Sequence, residues 1–312
     1  MRYQEDAVLI LAGPTASGKS SLAVNLAALL NAEIISADSM QIYRYMDIGT
    51  AKIMPEERQG IAHHLLDIVD PDQNFTLADW LLAARKKVKE IRASGKLPLI
   101  CGGTGLYLDF LIEGLVLQDN KSEESEFKLE DKEKFRAKIL QVGLDKAHQK
   151  IAELDPAAAA VIKENDEKRI VRFFERLELT GLTLSEHNAR SQREAESIGQ
   201  VFAYYLAPER ELLYQRINLR AERIFAQGLI EEFKMLNLLF PDFTSSQAYQ
   251  AIAYKEAEKL INGSESYAEA VSRLAQSTRN YAKRQLSWFR RKAYYQAVQP
   301  EQAKKIILAE FS

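Results

Sequence analysis

The chain is poor in the residues that build disulfides and metal centres. Of its 312 residues one is cysteine, Cys101, and four are histidine, which excludes an internal disulfide and a cysteine-rich metal site. No apolar run approaches the roughly 18 residues of a membrane-spanning helix. An excess of one charge is missing too: 42 Lys and Arg stand against 44 Asp and Glu. The average composition therefore gives no sign of a polyanionic partner, and any such surface must come from local clustering. There is no internal repeat and no low-complexity tract. The opening residues, Met1 to Asp6, lead almost at once into an apolar strand without the features of a secretory leader. A cytoplasmic protein with no membrane partner is expected. With 46% hydrophobic and 28% charged residues, the chain has the composition of a globular protein of one large or two modest domains.

What the sequence does have is a phosphate loop. Gly13-Pro14-Thr15-Ala16-Ser17-Gly18-Lys19-Ser20 satisfies G-x-x-x-x-G-K-[ST], behind the apolar run Ala7 to Ala12 and ahead of a helical stretch, Ser21 to Leu30. Strand, loop and helix is the context that gives the pattern its meaning. The glycines let successive N–H groups turn toward one anion, the helix N-terminus adds partial positive charge, Lys19 a full one, and Ser20 a hydroxyl for Mg²⁺. The loop alone leaves open whether the phosphates belong to ATP, GTP or another diphosphate.

Further strands read at Glu33 to Ser36 and Leu97 to Cys101, with a helix from Thr76 to Ser94 between them; Thr76 is its cap and Asp79 stands three residues on. In an open parallel sheet the ligand crevice lies at the carboxyl ends of the strands. Asp38, after the second strand, is therefore either a carboxylate facing the phosphate loop or a turn cap. Residues 41 to 52 show neither helical nor strand periodicity and suggest a binding loop. His63-His64 are adjacent, share no helix face, and suit a structural role better than metal binding. The third strand runs into Gly102-Gly103-Thr104-Gly105-Leu106-Tyr107, where a nucleotide hydrolase would carry an Asp. The glycines admit close approach to the backbone, and Thr104 is the polar group aimed there.

Three blocks together, Gly13 to Ser20, Ser36 to Lys52 with Asp38-Ser39-Met40-Gln41 at its head, and Gly102 to Tyr107, resemble the bacterial tRNA dimethylallyltransferase family. The resemblance implies an α/β protein: a P-loop NTPase-like parallel sheet core, residues 1–118 and 198–312, interrupted by an all-helical insertion, 119–197, that clasps the tRNA anticodon stem-loop. The insertion begins in a charged, acid-heavy tract, 119 to 134, and continues through stretches of helical spacing at 135–140, 147–154 and 157–162. A helix then opens behind Asn165-Asp166 and ends at Gly181. Arg169, Arg172 and Arg176 share one of its faces, which suits either solvent or phosphates. Val201 to Leu206 returns to the sheet. In the helix that follows, Glu209 to Gln227, Arg216, Arg220 and Arg223 share a face. The last long helix carries six cations, three aromatics and no acid from Thr278 to Lys292, a local charge suited to an RNA backbone.

By resemblance, the loop Gly13 to Ser20 holds dimethylallyl diphosphate, with Mg²⁺ partly on Ser20. Lys19, Arg220, Asp38 and Thr104 serve the chemistry, Asp38 as the base that takes the proton of an adenosine N6 amine. Contacts to tRNA are implied for Asp38, Ser39, Met40, Gln41 and Thr104, for Lys168, Arg169, Ile170, Val171 and Arg172, and for Arg279, Lys283 and Arg284. Trp288 and Phe289 suit the core better than base stacking. Two departures stand out: Ala253 and Tyr45 each occupy a position where the family commonly has Gly, and at Ala253 a backbone requiring positive φ would be strained. The product expected is N6-dimethylallyladenosine at tRNA position 37, from a monomeric enzyme. A P-loop kinase of a small metabolite, a prenyltransferase of free adenine nucleotides and an RNA-binding module without chemistry are the alternatives.

Overall fold

The computed structural model describes residues 6–115 and 129–311. The chain divides into two compact units, one made of Met1–Ile112 and Ile198–Ser312 and the other of Glu113–Ser197. The expected start of the insertion at 119 and most of its acidic tract lie outside the described residues.

The larger unit is built on a six-stranded, all-parallel sheet in the order β3-β2-β4-β1-β5-β6. The strands are β1 (Ala7–Ala12), β2 (Ala32–Ala37), β3 (His63–His64), β4 (Leu97–Gly102), β5 (Gln200–Leu206) and β6 (Gln296–Val298). Every residue of β1 and β4 is buried, as continuous apolar runs must be when helices cover both faces of a parallel sheet. The helices of this unit are α1 (Lys19–Leu30), α2 (Leu77–Ala93) and α3 (Gly105–Ile112). The insertion contributes α4 (Leu129–Val142), α5 (Leu144–Leu154), α6 (Pro156–Val161), α7 (Glu167–Thr180) and α8 (Leu184–Arg193). After β5 come α9 (Arg210–Ala226), α10 (Leu229–Leu239), α11 (Ile252–Ile261), α12 (Tyr267–Phe289) and α13 (Pro300–Glu310). Thr76 caps α2 in a reciprocal capping box with Asp79, as its spacing predicts.

Two large apolar clusters, among others, support the sheet unit. One packs β1, β2 and β4 against α1 and α13 through Leu9, Leu11, Leu26, Leu99 and Ile307. The other gathers α9 to α12 around Phe233, Phe243 and Tyr254, and takes in Ile42, Tyr43 and Met46, each with no exposed surface. The irregular 41–52 segment is thus largely a packed loop, and its cations are structural. Lys52 is buried and donates to the Tyr43 carbonyl and Asp47, both at 2.7 Å, and to Asp67. Arg44 pairs with Asp70 at 3.0 Å. Glu232, buried on α10, accepts the N–H groups of Asp47, Ile48 and Gly49 and the Tyr254 hydroxyl, at 2.7 to 2.9 Å. A buried carboxylate this fully bonded holds its loop firmly.

The departures from the family fall out differently from the sequence expectation. Ala253 sits inside α11 and is not among the positive-φ residues, whereas Tyr45 adopts φ of 64°. Of these two, the strained position is Tyr45, where the chain turns left-handed. His63 and His64 form the edge strand, and His64 meets Glu33 at 2.6 Å.

The insertion has its own core of Ala147, Ile151, Ala158, Ile162, Ile170 and Phe173. Asp155 caps α6 through the Ala158 N–H and also accepts the main-chain N–H and the hydroxyl of Ser185 on α8.

Candidate active site

Strand register creates the site. Ala12 of β1 and Ala37 of β2 both stand opposite Gly102 of β4, so the chain leaves the three strands side by side at Gly13, Asp38 and Gly103. Crowding there is severe: a Cβ on Gly102 would lie 2.1 Å from the Ala37 carbonyl oxygen, which only glycine avoids.

The phosphate loop then turns into α1. Gly18, the residue before the helix, has φ of 87°, and no side chain caps the N-terminus or places an acid in its first turn. The first-turn N–H groups are left for an outside acceptor. Ser17 Oγ is buried inside the loop and has no hydrogen-bond partner among the described residues, an omission that a bound anion would repair. The Lys19 ammonium donates to the Pro14 carbonyl at 3.3 Å. Burial pulls its pKa below the ordinary lysine range, against the opposing pull of Cys101 and Asp38. Arg220, alone of the three arginines expected on one face of α9, reaches the loop: its Nη1 donates to Thr15 Oγ1 at 3.0 Å and its Nη2 to the Ala51 carbonyl at 3.3 Å. Burial also lowers its pKa, and Asp38 is the main charge opposing that.

Asp38 follows the last residue of β2, abreast of the phosphate loop, and caps a turn. Its Oδ1 accepts the N–H groups of Met40 at 2.9 Å and Gln41 at 3.3 Å, capping the turn. Oδ2 has no hydrogen-bond partner among the described residues. The turn after β4 meets it: Thr104 N–H donates to the Ala37 carbonyl at 3.1 Å, and Thr104 Oγ1 accepts the Ser39 N–H at 3.2 Å. Gln41 spends its side-chain amide on the Thr50 and Ala51 carbonyls, and Met40 packs on the second core. Lys19, Arg220 and Asp38 thus act on one another's charge around a loop of N–H groups. Such an arrangement can hold a diphosphate, neutralise it as it departs, and take a proton beside it.

Two residues without an assigned role in the sequence reading belong here. Tyr281, on α12, has its phenol pushed well above its ordinary range by burial first and by the Asp38 charge second, with hydrogen bonds to Thr104 and Gln285 opposing. Gln285 bonds both the phosphate loop and the Gly-rich turn. Cys101, at the end of β4, has its thiol pushed up to about 11 by burial, which makes it a poor nucleophile.

The cationic faces are uneven. On α12, Lys283 and Arg284 are exposed, with Arg284 over the Tyr281 ring at 5.7 Å, while Arg279 is engaged with Asn218 and Gln276. Phe289 is fully buried; Trp288 is 38% exposed and donates from Nε1 to Asp109 at 2.9 Å. On α7, Lys168, Arg169 and Arg172 are exposed, Arg169 near Asp166 and Arg172 near Glu175. The expectation for Ile170 and Val171 is corrected: both side chains are buried, Ile170 in the core of the insertion, because the inward face of an amphipathic helix is fixed by its 3.6-residue period. The side chains that residues 168–172 leave exposed are those of the three cations.

Residues 41–292 match the IPP transferase family. The match begins just past the phosphate loop and Asp38, whose placement rests on the strand register instead. The chain is 43% identical over 292 residues to a tRNA dimethylallyltransferase of Bacillus velezensis, covering 94% of this chain and 90% of that one. It is 42% identical to one from Carboxydothermus hydrogenoformans over 91% and 89% of the two chains. Among solved structures it resembles the full-length tRNA isopentenylpyrophosphate transferase of Bacillus halodurans, at TM-score 0.69 and 36% identity over 97% and 96% of the chains. It also resembles a eukaryotic dimethylallyltransferase described as acting on tRNA, at TM-score 0.78 and 28% identity over 94% and 74%. With a family match over most of its length and relatives above 40% identity along nearly all of it, the chain belongs to the IPP transferase family.

Proposed function

We propose that this chain transfers the dimethylallyl group of dimethylallyl diphosphate to N6 of an adenosine in tRNA, at position 37 on the 3′ side of the anticodon, and releases pyrophosphate. The observation that carries the reading is the meeting of an uncapped anion cradle with a half-engaged carboxylate and a threonine hydroxyl at three adjacent strand ends. Family membership and relatives named for the same transfer support it.

Each part answers a chemical demand. The adenine amine has its lone pair drawn into the ring and is a poor nucleophile until its proton is taken. Asp38 does this through Oδ2, while Oδ1 stays bonded to the Met40 and Gln41 N–H groups and fixes the carboxylate. Thr104 Oγ1, oriented by the Ser39 N–H, can hydrogen-bond the amine. As the C1–O bond breaks, negative charge builds on the departing pyrophosphate, where the α1 N-terminus, Lys19 and Arg220 receive it. The carbon chain stays in place as the new C–N bond forms, and the amine proton ends on Asp38.

Mg²⁺ fits this donor set. Among the described residues no group of three or more His, Cys, Asp or Glu is arranged around a metal, and Mg²⁺ commonly binds through one or two protein oxygens, substrate phosphates and water. Ser20, exposed at the first turn of α1, is the residue that would hold it, and the ion would supply charge to the leaving phosphates. For the RNA, Lys168, Arg169 and Arg172 and the α12 cations Lys283 and Arg284 offer backbone contacts. The adenosine must leave its stack, at a cost of a few kcal/mol that such contacts offset. A monomer in the cytoplasm, where tRNA is modified, completes the reading; among the described residues no helix is long and apolar enough to cross a membrane.

Purified protein with Mg²⁺, unmodified tRNA and labelled dimethylallyl diphosphate tests it: label should move to one adenosine in tRNA. Consumption of ATP against a small alcohol would make the chain a kinase, label on free adenine nucleotides would move the acceptor, and tRNA binding without transfer would leave a binding module.

A further inference from the structure

Gln285 is a buried polar side chain that the chemistry above does not use. It lies on α12, far in sequence from both loops it touches. Its Oε1 accepts the Thr15 main-chain N–H at 2.9 Å, and its Nε2 donates to the Gly103 carbonyl at 2.9 Å. One partner can only donate and the other can only accept, so the amide has a single orientation. Tyr281, one turn earlier on the same helix, is buried close enough to Thr104, Gln285 and Asp38 for each to act on its phenol.

The two contacts join parts with different duties. Thr15 belongs to the diphosphate cradle, and its hydroxyl is held by Arg220; Gly103 carries Thr104 into position opposite Asp38. The N–H groups of a phosphate loop ordinarily face the anion, yet the Thr15 N–H is committed to Gln285. The fit is tight: a Cβ on Gly103 would stand 2.2 Å from Gln285 Nε2.

We propose that Gln285 is a positioning residue for the transfer: its side-chain amide sets the spacing between the diphosphate cradle and the Thr104 turn, so that the departing and the attacking groups meet in line. The inference rests on the reading given under Proposed function. Without the bridge each half of the site keeps its ligand contacts, but the two halves lose their common frame. Misplacement by about 1 Å can cost on the order of 10² in rate.

The test compares Gln285→Met, which keeps the bulk and loses both bonds, with Gln285→Glu, which keeps the acceptor for Thr15 and sets an anionic oxygen against Gly103. Gly103→Ala attacks the same contact from the other side and covers the case in which a Gln285 variant fails to fold. Affinity for inorganic pyrophosphate and for tRNA is measured separately, and single-turnover transfer is counted per pyrophosphate-binding site. The expected result is both affinities within about threefold of the parent with transfer slowed roughly 10- to 100-fold. Transfer within about threefold of the parent in every folded variant overturns the assignment. So does loss of pyrophosphate or tRNA binding in step with rate, which would make Gln285 a ligand-binding or purely structural group. A parent protein that transfers nothing would sink the functional reading instead, so the two failures are distinguishable.

Discussion

Arg220 reaches across 205 residues of sequence to donate to the Thr15 hydroxyl at 3.0 Å. That bond places a guanidinium, held in turn by the Ala51 carbonyl, against the phosphate loop, where the proposed reaction would release pyrophosphate. Arg220→Ala should lower kcat by about 10² to 10³, the usual effect of removing one donor from a developing anion. Arg220→Lys should recover little of it, because a lysine cannot reproduce the two-pronged contact. Steady-state transfer to tRNA measures both.

Asp38→Asn separates the turn cap from the proposed proton transfer. The amide keeps an oxygen for the Met40 and Gln41 N–H groups but cannot take a proton. Transfer should fall by about 10² to 10⁴, with tRNA and pyrophosphate affinities near the parent. A variant with weakened affinity for both substrates that turned over normally once saturated would show that Asp38 is only a turn cap.

The exposed α12 pair, Lys283 and Arg284, should act on affinity alone. Replacing both with Ala should weaken tRNA binding at all salt concentrations and make the log-log salt slope shallower by about 1 to 2. Transfer at saturating tRNA should be unchanged. An unaltered slope, read by titration at several ionic strengths, would remove these residues from the interface.

Tyr45 holds φ of 64° with its ring tilted on Phe240 at 6.0 Å. A non-glycine residue in that region costs about 1 to 2 kcal/mol, partly offset in a glycine variant by greater freedom of the unfolded chain. Tyr45→Gly should therefore raise stability by up to about 1 kcal/mol, while Tyr45→Ala, which keeps the strain and loses the ring contact, should not. Denaturant midpoints decide between them.

Glu33 accepts from Lys96 and meets His64, both at 2.6 Å. The Lys96 hydrogen bond above all, with His64 second, holds its carboxyl below the usual range. A carboxylate with a depressed native pKa stabilises the fold above its unfolded pKa and loses that contribution as pH falls through the native value. Glu33→Gln should cost about 1 kcal/mol near neutral pH, and the gap to the parent should close in acid. A gap independent of pH would mean that packing, not charge, is responsible.

How far the site could be read in advance varied with the reach of each interaction. The phosphate loop and the placement of Asp38 and Thr104 at strand ends were legible because the signal is local: each follows an apolar strand, and strand ends in a parallel sheet border the ligand crevice. Arg220 was one of three equivalent arginines on a helix face, and the resemblance rather than the spacing singled it out. Ile170 and Val171 lay inside a basic stretch, but helical phase turned them inward. Glu232 and Gln285 carried no local signal at all. Their main-chain partners lie more than 180 residues away in sequence, and a glutamate or glutamine on a helix reads as solvated surface until packing closes over it.

The sequence by itself determined the alternation of strand and helix, the anion-binding loop and the kinship, since these depend on apolar periodicity and on short spacings that survive without a fold. Tertiary structure alone decided which residues meet. Register between β1, β2 and β4 brought Gly13, Asp38 and Gly103 abreast, and the packing of α9, α10 and α12 delivered Arg220, Glu232 and Gln285 to loops far from them in the chain. The physical reason is that a hydrogen bond or a buried carboxylate is satisfied by whatever the fold brings within about 3 Å, and linear order places no limit on that choice.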